Sequence, residues 1–323
     1  MKFVVRAGLA FAACWIGVAG PAAAQYPEKL VRIVVPYIAG GNLDLIGRIA
    51  AQALTETLGQ TFIVENKPGA NGNVGTEQVA RSAPDGYTLA MVSAGTLTIN
   101  QSLYPKMPFD SEKDLTPIAV VASGPMVLEV HPSLPVTSVA ELVAYAKAKP
   151  GTLNFGSGGN GTLAHLSLEM LKARAGIDIV HVPYKGTALA LNDVTGGNIQ
   201  GMFDTLSTSV PFIQTGKLRA LAVTSERRTA IMADLPTIGE AGVSGYVAEA
   251  WSGLVGPAGM PAPVVARIQS TLATVLMRPE TREKLARLGS EPVGGTPAEF
   301  AEMIRRDKAK WAEVIKASGA KLD

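Results

Sequence analysis

Two glycine-rich segments hold the residues most able to do chemistry. Gly156-Ser157-Gly158-Gly159-Asn160-Gly161 matches G-x-G-x-x-G and leads into Thr162, and Ala39-Gly40-Gly41-Asn42 stands in an equivalent place earlier in the chain. Glycines let a backbone approach a ligand closely, and the N–H groups that open a following helix point at an anion. Neither segment contains Lys or Arg. An anion there is held by helix N-termini and by the side chains of Asn42, Ser157, Asn160 and Thr162, without a salt bridge. A plainer reading makes both loops tight connections, with Asn42 and Thr162 as helix caps. Asp178 follows Gly161 by 17 residues, near the place of a ribose-binding acid in a dinucleotide fingerprint. That reading is weak, because the unit starts mid-chain and an exported protein meets little nicotinamide cofactor. No cofactor is expected.

Two aspartates stand beside such loops. Asp44 falls in a first helical turn, where the dipole stabilises a carboxylate; a structural role outweighs ligand contact. Asp204 ends the apolar run Ile199 to Phe203, where it faces a cleft or caps a helix beginning near Thr205 or Ser207. The three histidines, His131, His165 and His181, are 34 and 16 residues apart, which fits no zinc pattern. No serine has glycine at both −2 and +2, and no lysine closes a phosphate loop. The chain thus offers groups that shape a ligand site without an evident nucleophile–base pair, which argues against an enzyme.

The elements that must position these loops alternate. Leu30 to Tyr37 crowds Val and Ile together as in a strand buried on both faces. Leu43 to Leu58 is a helix with one apolar stripe, stopped by Gly59. Thr61 to Glu65 is a strand, Val74 to Ser82 a helix and Tyr87 to Ser93 a strand, the βαβαβ order of a parallel sheet. Ile118 to Val121 and Val127 to Val130 are strands parted by Ser123-Gly124-Pro125, a crossing point between lobes. Further on, strands at Thr152 to Phe155, Asp178 to Val182, Ile199 to Phe203 and Leu218 to Thr224 alternate with helices at Val139 to Lys149, Thr162 to Ala175 and Thr187 to Val194. A strand at Trp251 to Val255 and helices at Pro263 to Met277, Glu280 to Leu288 and Pro297 to Ser318 close the chain. Val35-Pro36-Tyr37 and Val182-Pro183-Tyr184 echo each other, as do Ser93-Ala94-Gly95-Thr96 and the glycine loop at Ser157. Two facing lobes of one βα architecture put all four loops around a cleft at the carboxyl ends of the strands.

Composition narrows the class. The chain has 323 residues, 47% hydrophobic and 17% charged, with 29 basic against 27 acidic, so it has the core of a folded protein and no concentrated basic face for nucleic acid. Lys2 and Arg6, the uncharged run Ala7 to Ala19 and Ala22-Ala23-Ala24 have the layout of a signal peptide, residues 1–24. Cleavage after Ala24 leaves 27 charges of each sign and removes Cys14, the sole cysteine, so no disulfide or thiolate site remains. Phe11-Ala12-Ala13 before Cys14 lacks the leucine-like residue of a lipid-anchor site, so ordinary cleavage into the periplasm is expected. No other apolar run approaches the ~18 residues of a membrane span.

Taken in order, VRIVVPYIAGGNLD, LGQTFIVENKPGANGNVGTEQVARSAPDGYTL, LNFGSGGNGTLAHL, IVHVPYKGTALALNDVTGGNIQGMFD, GKLRALAVTSERR and EPVGGTPAEF resemble the substrate-binding proteins of tripartite tricarboxylate transporters, the Bug receptors. The resemblance covers the whole mature chain. It implies an α/β, two-lobed periplasmic binding protein of type II-like fold, each lobe a mostly parallel sheet flanked by helices. Residues 25–124 would form the first part of lobe 1, residues 125–245 lobe 2, and residues 246–323 the return to lobe 1. It implies a monomer that binds a small mono-, di- or tricarboxylate, an aromatic one included, and delivers it to membrane permease subunits. A sensory receptor or an exported hydrolase is the alternative. Carried over from the family, the ligand positions are Ala39, Gly40, Gly41, Asn42 and Asp44, then Ser157, Gly158, Asn160, Gly161 and Thr162, with Ser93 and Thr96 in a third loop and Asp204 in Met-Phe-Asp. The chain departs from the family where Ala39 replaces a second proline and Leu43 a small polar residue, which would make that side of the pocket more apolar and favour a ligand with a hydrocarbon body.

Overall fold

Val31–Val35 (β1) buries every residue but Arg32, as its run of β-branched side chains demands. A computed structural model describes residues 26–321, so the expected signal peptide lies outside the described residues. Among them, no helix is long and apolar enough to cross a membrane. β1 lies parallel between Phe62–Asn66 (β2) and Thr88–Ser93 (β3). The helix Asn42–Leu58 (α1) covers this sheet with Ile46, Ala50, Ala53 and Leu54, and ends where Gly59 turns left-handed and donates its N–H to Thr55. Asn73–Ala80 (α2) leads to β3.

Ser93 is followed by a π-helical turn, Gly95–Ile99, running into the short helix Asn100–Leu103 (α3). Thr96, Thr98 and Ile99 carry branched side chains that disfavour helix. Burial of Leu97 and Ile99, both 0% exposed, overrides that preference.

The expected break at Ser123-Gly124-Pro125 is absent. Leu115–Val130 (β4) is one 16-residue strand. Its residues up to Pro125 pair antiparallel with Glu249–Pro257 (β9), and from Met126 onward it pairs with Gly201–Thr205 (β7) and Arg219–Val223 (β8). Gly124 is required there: a Cβ would lie 2.5 Å from the Gly289 carbonyl oxygen, which packs against the strand at the crossing. Beyond β7 the sheet continues through Asn154–Ser157 (β5) and Val180–Pro183 (β6), giving the order β2-β1-β3-β9-β4-β7-β5-β6. The short strand Glu291–Gly294 (β10) also pairs with β4.

Helices Val139–Ala148 (α4), Leu163–Ala175 (α5), Thr187–Thr195 (α6) and Leu206–Gln214 (α7) dress the second half of the sheet. Ala262–Leu276 (α8) and Pro279–Arg287 (α9) return to the first half. The last helix, Pro297–Ser318 (α10), opens with a capping box between Thr296 and Glu299. Its 22 residues span about 33 Å. Phe300 and Ile304 pack in the first-half core with Trp251 and Leu97, whereas Trp311 packs with Phe155, Leu168 and Tyr246 in the second-half core. α10 therefore straps both halves together. Tyr246 and Ala248 still belong to the second-half core, and Ala248 donates its N–H to Thr224, so the chain crosses back at Glu249.

Candidate functional site

The first βα loop is shaped by side chains that reach across it. Asp44, 1% exposed, accepts hydrogen bonds from the Gly40 N–H (2.9 Å), Arg48 Nε (3.0 Å) and Asn66 Nδ2 (2.9 Å). Burial alone would raise its pKa, yet the bonds from Arg48, Gly40 and Asn66 outweigh burial and hold the carboxyl below its ordinary range. Asp44 is thus a loop anchor whose oxygens are both engaged by the protein. Ala39, Gly40 and Gly41 form an exposed crest beside Ile38, itself 71% exposed. Asn42 does not cap α1: Gly41 takes the N-cap position without a side-chain bond, and Asn42 is the first helical residue. Its Oδ1 is buried and without a partner. Leu43, partly buried, packs against the first-half core.

The third family loop meets the first through Tyr37. Its hydroxyl lies 3.0 Å from Thr96 Oγ1, 3.3 Å from Ser93 Oγ and 3.1 Å from both oxygens of Asn71. Asn71 sits at φ 50, beside Ala70 at φ 45, a left-handed backbone that asparagine tolerates best among non-glycine residues. Asn100 and Asn73 extend the net. Ser93 and Thr96 are therefore brought to the loop but spend their hydroxyls on its shape. The echo in sequence has a counterpart here, since Tyr184 is fastened within its own half, its hydroxyl donating to Asp193 at 2.5 Å.

In the second half, α5 starts at a true cap: Thr162 Oγ1 accepts from the His165 N–H (3.3 Å) and donates to the Gly159 carbonyl (2.8 Å). Ser157, fully buried, accepts from the Gly159 N–H at 3.1 Å and lies 2.7 Å from His181 Nε2. The Gly161 N–H is turned inward to His165 Nδ1 at 3.1 Å. Gly158 lies against the start of α6, where a Cβ would come 2.7 Å from Thr187 Oγ1. Gly158 and Asn160 are half-buried on the crest between these ties. The side chains of Asp44, Ser93, Thr96, Ser157 and Thr162 thus hold the loops.

Asp204 does not offer an open carboxylate. It is 4% exposed, its Oδ1 accepts from the Thr205 N–H, and its Oδ2 has no partner. In register it lies opposite Val127, so it shares a sheet face with Glu129, which is 0% exposed and, among the described residues, has only the nearby Ser209 hydroxyl to relieve its carboxyl. Desolvation pushes Asp204 up to about 7, and desolvation together with the Asp204 charge drives Glu129 well above its ordinary range. It is not a side-chain cap of α7 either, since Thr205 takes that position without a side-chain bond.

Asn42 and Thr205 do meet. They border one small cavity with Gly124 and Pro125 of β4 and Ala250 and Ser252 of β9, so the first loop and the end of β7 converge over the crossing strands. The 157–162 loop is not part of that lining. Sequence reasoning missed Tyr37, Asn66, Asn71 and the two histidines as loop-holding residues. The Val-Pro-Tyr repeat was the available signal for Tyr37; nothing local marked the others.

The model of the tripartite tricarboxylate transporter family receptor matches residues 46–320. BugT of Bordetella pertussis is 34% identical over 308 residues, covering 95% of this chain and 94% of its own. Among solved structures, the adipate-bound R. palustris protein Rpa4515 superposes with a TM-score of 0.83 at 37% identity, covering 92% of this chain and all of that one. The malate-bound MatC of Rhodopseudomonas palustris gives 0.78 at 30% identity, over 90% of this chain and all of that one. With matches that run nearly end to end in sequence and in fold, the chain belongs to the tripartite tricarboxylate transporter receptor family.

Proposed function

We propose that this chain is an exported, periplasmic solute-binding receptor that takes a small mono- or dicarboxylate between two lobes and hands it to membrane permease subunits. The lobes divide near Pro125 and Glu249, where β4 passes from β9 to β7 and β8. The observation that supports this most is the pairing of two helix N-termini, α1 and α5, with glycine loops that contain no cation. Each N-terminus carries roughly half a positive charge, enough for one carboxylate apiece and too little for three. Ile38, exposed on the first crest, supplies an apolar contact for a hydrocarbon body. Adipate and malate, bound by the two R. palustris relatives, are the natural probes. Closure is a hinge motion at the crossing strands, and the ligand stabilises the closed form only by its extra contacts there.

The test is a thermal melt of the mature chain, residues 25–323, with adipate, malate, citrate and aromatic carboxylates. A ligand at 100 times its dissociation constant adds about 2.7 kcal/mol, a shift of a few degrees for a chain of this size. A mono- or dicarboxylate should raise the melting temperature more than citrate does. Silence toward every carboxylate, repeated after unfolding and refolding to remove a retained ligand, overturns the reading.

A further inference from the structure

Two histidines, the buried His165 and the partly buried His181, touch both ends of the 157–162 loop. We propose that His165 and His181 are positioning residues, a stacked imidazole pair that clamps this loop in the shape that sets the ligand-facing crest before α5. The inference rests on the carboxylate reading and adds to it the residues that set the loop's shape.

Geometry assigns the roles. The rings stack with centroids 3.9 Å apart and planes 13° from parallel. His165, on the first turn of α5, accepts the Gly161 N–H on Nδ1, so that nitrogen must carry a lone pair and the proton must sit on Nε2. A positive ring is disfavoured at this place three times over: it is 5% exposed, it faces the positive end of α5, and a second imidazole and Lys172 stand near. Burial, then His181, then Lys172 drive its pKa down to about 3. His181, on β6, meets Ser157 Oγ at 2.7 Å, and that oxygen also accepts the Gly159 N–H. One histidine therefore ties the strand end of the loop and the other ties its helix end. Gly158, Gly159 and Asn160 arch between the two ties, with Gly159 bonded in turn to Ser157 and Thr162.

Side-chain geometry supplies matched variants. In His165→Asn the amide oxygen falls where Nδ1 was and can accept the Gly161 N–H, whereas in His165→Gln it is displaced by one bond. In His181→Gln the amide nitrogen falls where Nε2 was, whereas His181→Leu cannot bond Ser157. Wild type should show His165 protonated on Nε2 alone at pH 7 in long-range proton–nitrogen spectra. Gly161 amide exchange should quicken about 5- to 30-fold in His165→Gln, the equivalent of one lost hydrogen bond, and little in His165→Asn. Adipate affinity measured by calorimetry should fall in the same order, with His181→Gln above His181→Leu. An Nδ1-protonated or doubly protonated His165, or equal Gly161 protection in the Asn and Gln variants, overturns the clamp. So does unchanged adipate affinity once that protection is lost. If wild type binds neither adipate nor malate, the carboxylate reading fails separately, and the tautomer and the Gly161 protection alone decide the clamp.

Discussion

Asp44 in the first half and Asp204 in the second are both buried aspartates, 1% and 4% exposed, each close to the start of a helix. They are treated in opposite ways. Three donors meet the oxygens of Asp44, and its carboxyl is held below its ordinary 3.8. Asp204 has one backbone donor, and desolvation pushes it up to about 7; its charge in turn raises the neighbouring Glu129. Both are shut from bulk solvent, yet three donors pull one carboxyl down while desolvation lifts the other, so low exposure alone does not say whether an acid is ionised. The same contrast separates the loops. The first is fastened by an ion pair and asparagines, the second by hydroxyls and imidazoles.

The largest effect should come from removing the partnered acid. Asp44→Ala leaves the Gly40 N–H and the Asn66 amide without their acceptor and should cost about 3 kcal/mol of folding stability, read by chemical denaturation. A cost under about 1 kcal/mol would dissolve the contrast, since surface changes usually fall within that range. The unpartnered pair should behave oppositely. Glu129→Leu fills the same buried position without a carboxyl and should stabilise the protein by about 2 kcal/mol at pH 8.

The pH dependence sharpens the comparison, because the two regions have opposite signs. Asp44 has a depressed folded pKa, so its contribution is complete above the ordinary value and is lost as pH falls through the folded one. Asp204 and Glu129 have raised folded values. Their share of stability is complete below the ordinary carboxylate range and is lost as pH climbs toward about 7. Wild type should therefore melt lower at pH 8 than at pH 5, and Glu129→Leu should flatten that slope. A wild-type melting temperature that does not change from pH 5 to pH 8 would contradict the buried-pair assignment.

The smallest effects should distinguish the two helix starts. Thr162→Ala removes a real cap and should cost about 1 kcal/mol. Asn42→Ala should change stability by less than about 0.5 kcal/mol, because its side chain caps nothing. Equal costs in paired melts would show that the two loops are built alike after all.

Much of the frame is legible in the order of residues alone. The βα order follows from apolar runs and from a 3.6-residue stripe, and the stops at Gly59 and Gly176 follow from the left-handed turn that glycine allows. The Thr162 cap needs only its own helix, three residues away. The two glycine loops are visible for the same reason: close backbone approach requires glycine wherever it occurs. Misreadings arise where a distant neighbour decides. Ser123-Gly124-Pro125 reads as a break, yet β9, more than 120 residues on, supplies a partner that carries the strand through. Asn42 has the side chain of a cap but stands one position inside the helix.

What the sequence determined alone, then, is local: which segments are strand or helix, where each starts and stops, and where the backbone comes close to a ligand. Those properties depend on neighbours within about one turn or one pleat. The tertiary structure decided which side chains hold the loops and which carry charge. Asp204 becomes a poor open ligand group because the packed sheet around β7 shuts it from water, and the proposed loop clamp at His165 depends on β6 bringing His181 onto its ring. Proton affinity and hydrogen-bond capacity are set by what lies within a few ångströms in space, and the strand and helix patterns along the chain do not encode those distances.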